Sequence, residues 1–247
     1  MKSELSEVVT TSREKIILSA GYLFGEKGYD GVSVRDIANA ANVNSALIGY
    51  YFRGKEGLLT EVYTRHCEPL KRERIRLLTD HTEGGTPPCL EGILKAFIGP
   101  SVQAGQGSAE GRSFSRLRAI LSAENCILLE KLVAQNFDES NRAFIDALAV
   151  CLPALSKEDV YWRFHFLLGA IYYTATGPHR IRALSDGKCD PSCPEDTTEQ
   201  LINFAAAGFR AEPIRRQTHC QAPSIGSDPM QRPQIQRRRK SLDIFTC

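Results

Sequence analysis

The sequence predicts an all-α fold: an N-terminal three-helix head followed by a larger helical body. Three observations carry that prediction. From residue 12 to about 211, apolar side chains recur at helical spacing. No stretch shows the strict apolar–polar alternation of a half-buried strand. Glycine and proline gather in short clusters between the periodic stretches, as "DHTEGGTPP", "QAGQGSAEG" and "SDGKCDPSCPED".

The first predicted helix starts near Ser12 as N-cap and carries Ile16, Ile17, Ala20, Leu23 and Phe24 at helical spacing. It stops at "EKGYDG", where Gly28 supplies the break. Ser33 and Asp36 form an S-x-x-D capping pattern ahead of "VRDIANAA". Asn42 follows, a residue that tolerates the left-handed backbone of a tight turn, with Val43 filling the space beneath it. A short helix over 44–52 comes next, and another begins near Lys55, with Pro69 bending it without necessarily ending it.

Further helices are expected at "CLEGILKAFIGPSV", "RSFSRLRAILSAENCILLEKLVAQNF" and "SNRAFIDALAVCLP". Residues 157 to about 184, with Ser156 as N-cap, and "TTEQLINFAAAGFRA" complete the body. That makes about nine helices. Residues 1–11 read as a flexible arm, 12–65 as the head, 66–211 as the body and 212–247 as a disordered basic tail with four prolines.

Charge narrows the function. The chain is only +2 overall, but residues 13–76 hold eleven basic against eight acidic groups and the tail seven against three. The asymmetry hints at a polyanion partner. The N-terminus "MKSELSEVVTTSREK" lacks the apolar run of a signal peptide, and no stretch approaches the ~20 apolar residues of a membrane span. The eight scattered cysteines then read as reduced thiols of a cytoplasmic protein. Cys189 and Cys193 form the one close pair, weak evidence for metal, and His66, His81, His179 and His219 share no ligand spacing and read as surface or loop residues. With no G-x-S-x-G, H-E-x-x-H or phosphate loop, neither catalysis nor a cofactor is expected. An all-helical enzyme or carrier for hydrophobic small molecules stays as the alternative reading.

The informative stretch is "NVNSALIGYYFRGKEGLL". Gly49 costs a helix about 1 kcal/mol relative to alanine, and paired tyrosines are poor choices for an exposed face. On a helical wheel Ile48 and Phe52 face the preceding helices, while Ala46, Gly49, Tyr50 and Arg53 point away. Residues 33–52 have the layout of a helix-turn-helix. A helix lying in a major groove wants small residues for close approach, a basic group for phosphate and hydroxyl-tipped rings.

"GVSVRDIANAANVNSALIGYYFRGKEGLL" resembles the DNA-binding domain of TetR-type transcriptional regulators, through Ser33, Tyr51-Phe52, Lys55-Glu56 and Leu58-Leu59. The resemblance covers about residues 12–65. It implies that Ser33 and Lys55 hold phosphates and that Arg35 contacts a base or phosphate. Asn44, Ser45, Ala46, Gly49 and Tyr50 would face the groove, with Tyr51 beside them. Leu47 stands where threonine is frequent, Gly49 where tyrosine is frequent, and Asn42 replaces a turn glycine.

The same resemblance implies a small-molecule effector and a homodimer built on the last two long helices. The dimer would bind double-stranded DNA at a palindromic operator, its recognition helices about 34 Å apart. Phe166, Ala170, Phe204, Ala205 and Gly208 are the candidate interface residues; packing inside their own subunit is the alternative for the alanines of "FAAAGF". "YWRFHFLLGAIYYT", "RIRALSDGKCDP" and "FAAAGFRA" further resemble a PsrA-like subgroup linked to fatty-acid metabolism. That implies an acyl-type effector. Arg118, Trp162, His165, Phe166 and Tyr172 are the candidates to hold it, Arg118 or His165 as polar anchor, with plain core packing the alternative for the aromatics. "QRRRK" at 236–240 would add phosphate affinity or serve only solubility.

Overall fold

A computed structural model describes residues 11–83, 88–106, 108–123, 127–176 and 178–213. The described residues contain ten α-helices and no strand, and belong to one compact unit. The N-terminal arm up to residue 10 and the tail from 214 lie outside them, as do Cys126, His219, Cys220, Cys247 and the "QRRRK" run.

The head consists of α1 (Ser12–Lys27), α2 (Val34–Ala41) and α3 (Ala46–Phe52). Thr11, not Ser12, caps α1: Thr11 is extended and its hydroxyl accepts from the Glu14 amide, while Ser12 is already helical. Ser33 and Asp36 make the full capping box. The Ser33 hydroxyl accepts from the Asp36 amide at 3.1 Å, and the Asp36 carboxylate accepts from the Ser33 amide at 2.8 Å. Asn42 takes the left-handed turn conformation at φ 53°. The helix expected from residue 44 begins at 46, because the Asn44 side chain accepts from the Ala46 amide at 2.8 Å and caps the turn itself.

The body holds α4 (Lys55–Glu83), α5 (Leu90–Gln106), α6 (Ala109–Ala123), α7 (Ile127–Cys151), α8 (Lys157–Thr176), α9 (Pro178–Leu184) and α10 (Pro194–Arg210). Pro69 sits inside an unbroken α4 and Pro100 inside α5. Two expected boundaries differ. The helix expected from 112 to 137 is two, α6 and α7, and α7 runs through "DESN" as far as Cys151, since its Asp138, Glu139 and Asn141 are good enough helix formers once both flanks are buried. The helix expected over 157–184 is also two, with Pro178 opening α9, where its missing N–H leaves nothing unsatisfied.

Two apolar clusters hold these helices. The first joins the head to the body: Ile16, Phe24, Ile37, Ile48, Leu58 and Tyr63 pack with Phe114 and Leu117 of α6 and Leu132 and Phe137 of α7. The second gathers Leu94 and Phe97 of α5, Phe144 of α7, Phe164 of α8 and Phe209 of α10. The residue 65/66 division drawn from sequence falls inside α4, and the first cluster crosses it.

Contact between α1 and α6 is close. A Cβ on Gly25 would lie 2.6 Å from the Ser113 carbonyl oxygen, nearer than any real side chain approaches, so only glycine fits. Arg116 pairs with Glu26 across the same seam, and Arg65–Glu14 and Arg13–Glu61, each at 2.6 Å, tie α1 to α4.

Candidate nucleic-acid interface and ligand cavity

In the head, the division expected from the wheel is realised. Ile48 and Phe52 of α3 are buried in the first cluster, which fixes the rotation of the helix about its axis. Asn44, Ser45, Ala46, Gly49, Tyr50 and Tyr51 are exposed on the opposite side, with Ser33 and Arg35 exposed beside them on the α2 end. Tyr50 is 79% exposed and meets the edge of Tyr51 at 5.1 Å. Among the described residues nothing lies within 4 Å of where a Gly49 Cβ would stand, so packing inside the chain does not demand glycine there. Leu47 is half-buried against the first cluster, so its departure from threonine serves packing.

Two cations of the head lie over aromatic rings. The Lys55 ammonium sits 4.1 Å from the Tyr29 ring centroid, and Arg13 lies 5.4 Å from that of Phe52. Arg53 ends α3 at φ 61°, a left-handed backbone that costs an arginine about 1 kcal/mol. The Ser33 hydroxyl is committed: it donates to the Asp36 carboxylate at 2.6 Å. A phosphate oxygen, itself an acceptor, must draw that proton away from Asp36 to be held by Ser33.

In the body, α4, α5, α6, α7 and α8 line a half-open cavity of about 410 Å³. Arg118, His165 and Tyr172 line it, as expected. Trp162 and Phe166 do not. They are 58% and 62% exposed, packed on one another with ring centroids 5.8 Å apart on the outward side of α8. Helical spacing shows that such residues share a face but not what that face meets. Phe204 and Gly208 of α10 are exposed too, whereas Ala205 is buried in the second cluster of its own subunit and Ala170 is half-buried against it. The "FAAAGF" stretch therefore divides between an inward and an outward side.

Most of the cavity lining escapes the sequence reading, and three of its polar residues bear on its chemistry. Arg74 of α4 is 5% exposed; its Nε donates to the Phe97 carbonyl at 3.1 Å and a terminal nitrogen donates to the Ser101 hydroxyl. Burial with no acid beside it pulls the Arg74 pKa down to about 9, so it stays cationic at neutral pH. His66, read as a surface residue, lines the cavity and stacks on Phe114 at 4.6 Å. Burial lowers its pKa as well, which favours the neutral imidazole. Asn141 is the third. A positional signal for Arg74 existed: it lies four residues from both Leu70 and Leu78, on the buried stripe of α4.

Among the described residues no helix is long and apolar enough to cross a membrane, and no three acidic, histidine or cysteine residues gather as a metal site.

Two families match this chain. Residues 16–62 match one described as bacterial regulatory proteins, tetR family, and residues 95–208 match a tetracyclin repressor-like C-terminal domain. The probable HTH-type transcriptional regulator YttP of Bacillus subtilis is 42% identical over 77 residues, 30% of this chain and 37% of that protein. The biofilm operon icaADBC HTH-type negative transcriptional regulator IcaR of Staphylococcus epidermidis is 39% identical over 181 residues, 71% of this chain and 90% of that one. Among solved structures, a TetR-family regulator from Bordetella parapertussis shares the fold at a TM-score of 0.59 and 20% identity, covering 84% of this chain and 98% of its own. The fatty acid degradation regulator FadR from Bacillus halodurans shares it at 0.57 and 17%, covering 81% and 96%.

Proposed function

This chain belongs to the tetR family of bacterial regulatory proteins, and from that premise we propose that it is a ligand-responsive repressor acting as a homodimer on a palindromic operator. The observation that carries the reading is the outward face of α3. Gly49 stands in open space at a cost of about 1 kcal/mol to its helix, next to a tyrosine that is 79% exposed. Among the described residues Gly49 has no packing neighbour and Tyr50 meets only the ring beside it, Tyr51. Both suit a surface that presses against base pairs, where a missing side chain lets the backbone approach and a phenol reaches an edge or a phosphate. Repression is supported by the IcaR relative, itself described as a negative regulator.

Dimerisation is supported by the uncovered aromatic stripe of Trp162, Phe166 and Tyr173 on α8, beside exposed Phe204 on α10. These are large apolar groups on adjacent helices, and a second copy would cover them. The effector is of acyl type, as the resemblance to the PsrA-like subgroup implies. The cavity supports it with Leu70, Phe114, Val133, Phe137, Leu168 and Ile171 along its walls. One helix links the two sites: α4 lends Leu58, Leu59 and Tyr63 to the first cluster and His66, Leu70 and Arg74 to the cavity. An effector that fits only one placement of α4 shifts the dimer toward reading heads spaced wrongly for DNA.

Selection of bound duplexes from a random pool, repeated with acyl compounds present, tests this. The expected product is a palindrome with half-sites about one helical turn apart, and less bound DNA when the effector is added. Absence of any sequence preference at moderate salt overturns the reading.

A further inference from the structure

Arg74 is a buried cation without an anion. Its two hydrogen bonds go to neutral acceptors, Phe97 and Ser101, and its guanidinium rests 3.8 Å from the Phe97 ring centroid. Arg118, on α6 across the same cavity, lies 5.5 Å from the Tyr172 ring and 5.7 Å from that of Phe137. Arg74 is 5.8 Å from the same Phe137 ring, so the two positive charges share one aromatic neighbour. Among the described residues neither arginine forms an ion pair, and no Asp or Glu lines the cavity.

Like charges lining one cavity repel, and folded chains rarely keep them so without a counter-charge. A cavity with two cations and no acid of its own is built around a charge it does not itself supply.

We infer that the effector is a free carboxylate, whose head group is the missing anion in the cavity that Arg74 and Arg118 line and whose chain lies along Leu70, Val133 and Leu168. The inference rests on the acyl reading above and narrows it. A carboxylate accepts from a guanidinium through two oxygens and can bridge a second one. A coenzyme A thioester meets the site poorly: the carbonyl at its acyl end is neutral, and its charges sit on phosphates at the far end. Decanoate, a free acid with an apolar chain, is a probe of this class.

The experiment compares decanoate, decan-1-ol and decanoyl-coenzyme A by calorimetry and thermal melting on the full chain and on Arg118→Gln. Arg118 is half-exposed, so its loss leaves folding intact where Arg74→Met would not. The expected result is that decanoate binds and raises the melting temperature, and that decanol binds about ten- to a hundredfold more weakly, the range of a charged hydrogen bond. Arg118→Gln then loses affinity for decanoate by a similar factor and keeps its affinity for decanol. Equal binding of acid and alcohol, or tighter binding of the thioester than of the acid, overturns the inference and leaves the acyl reading standing. Failure of all three to bind overturns both.

Discussion

Replacing Tyr50 with alanine separates recognition from folding. The ring is 79% exposed and its described ring contact is the edge of Tyr51, so the change in folding free energy stays within about 0.5 kcal/mol. A phenol set against DNA, as proposed for Tyr50, is expected to contribute one hydrogen bond or one apolar contact, about 0.5–1.5 kcal/mol. A homodimer carries two copies, which doubles the loss to about 1–3 kcal/mol and weakens operator binding about 5- to 150-fold. Fluorescence anisotropy on the selected operator at one fixed salt concentration reads that loss, and thermal melting of the same sample reads the fold. Unchanged affinity with unchanged melting removes Tyr50 from the groove. Affinity that falls only together with the melting temperature shows the ring to be structural and refutes the assignment of the α3 face.

Lys55→Gln tests the proposed phosphate contact: the expected outcome is a log–log salt dependence flattened by about 0.9 per phosphate, near two for a dimer, with the selected sequence unchanged. An unaltered salt slope means that stacking on Tyr29 is the whole role of that amine. Phe204→Asp, on an exposed ring, yields a monomer in sedimentation with its helix content intact, whereas Ala205→Asp buries a lone charge and costs about 3 kcal/mol or more of stability. Like behaviour of the two variants contradicts the division of α10 into an outward and an inward side. Asp36→Asn probes the capping box by pH. The Ser33 hydroxyl and amide hold the Asp36 carboxyl below its ordinary value, so its contribution is present above the unfolded pKa and disappears as pH falls through the folded one. The stability gap between wild type and variant therefore closes as pH falls below the ordinary carboxylate value of about 4, and a gap that widens on acidification rejects the box as a source of stability.

Local rules made the head legible. Ser33 with Asp36, Asn42 at the turn, and Ile48 with Phe52 are short-range signals, each decided by residues within four positions, and the structure realises all three. The wheel over 44–52 named the outward residues correctly even though the helix starts at 46, because Asn44 closes the turn with its side chain without changing the phase. The body was harder to read for a physical reason. Periodicity says that Trp162 and Phe166 share a side of α8, but a stripe covered by a second subunit and a stripe covered by the same one have identical spacing. Arg74 was hidden in "KRERIRLL", where a run of charge reads as a solvated face, and only its place between Leu70 and Leu78 distinguishes it. His66 lies in the same blind spot: nothing within its own helix announces that Phe114, from another, will stack on it.

The glycine at position 25 bears on how such proteins can be re-engineered. Because α1 presses its bare backbone onto Ser113, the DNA-reading part has a footprint on α6 shaped to fit it. A chimera that grafts a foreign reading head onto this body at the residue 65 junction would bring another surface to that seam, and a single methyl group in the wrong place would pry the two apart. Swapping specificity between relatives therefore calls for exchanging only the exposed side chains of α3, or for carrying the matching strip of α6 along with the head.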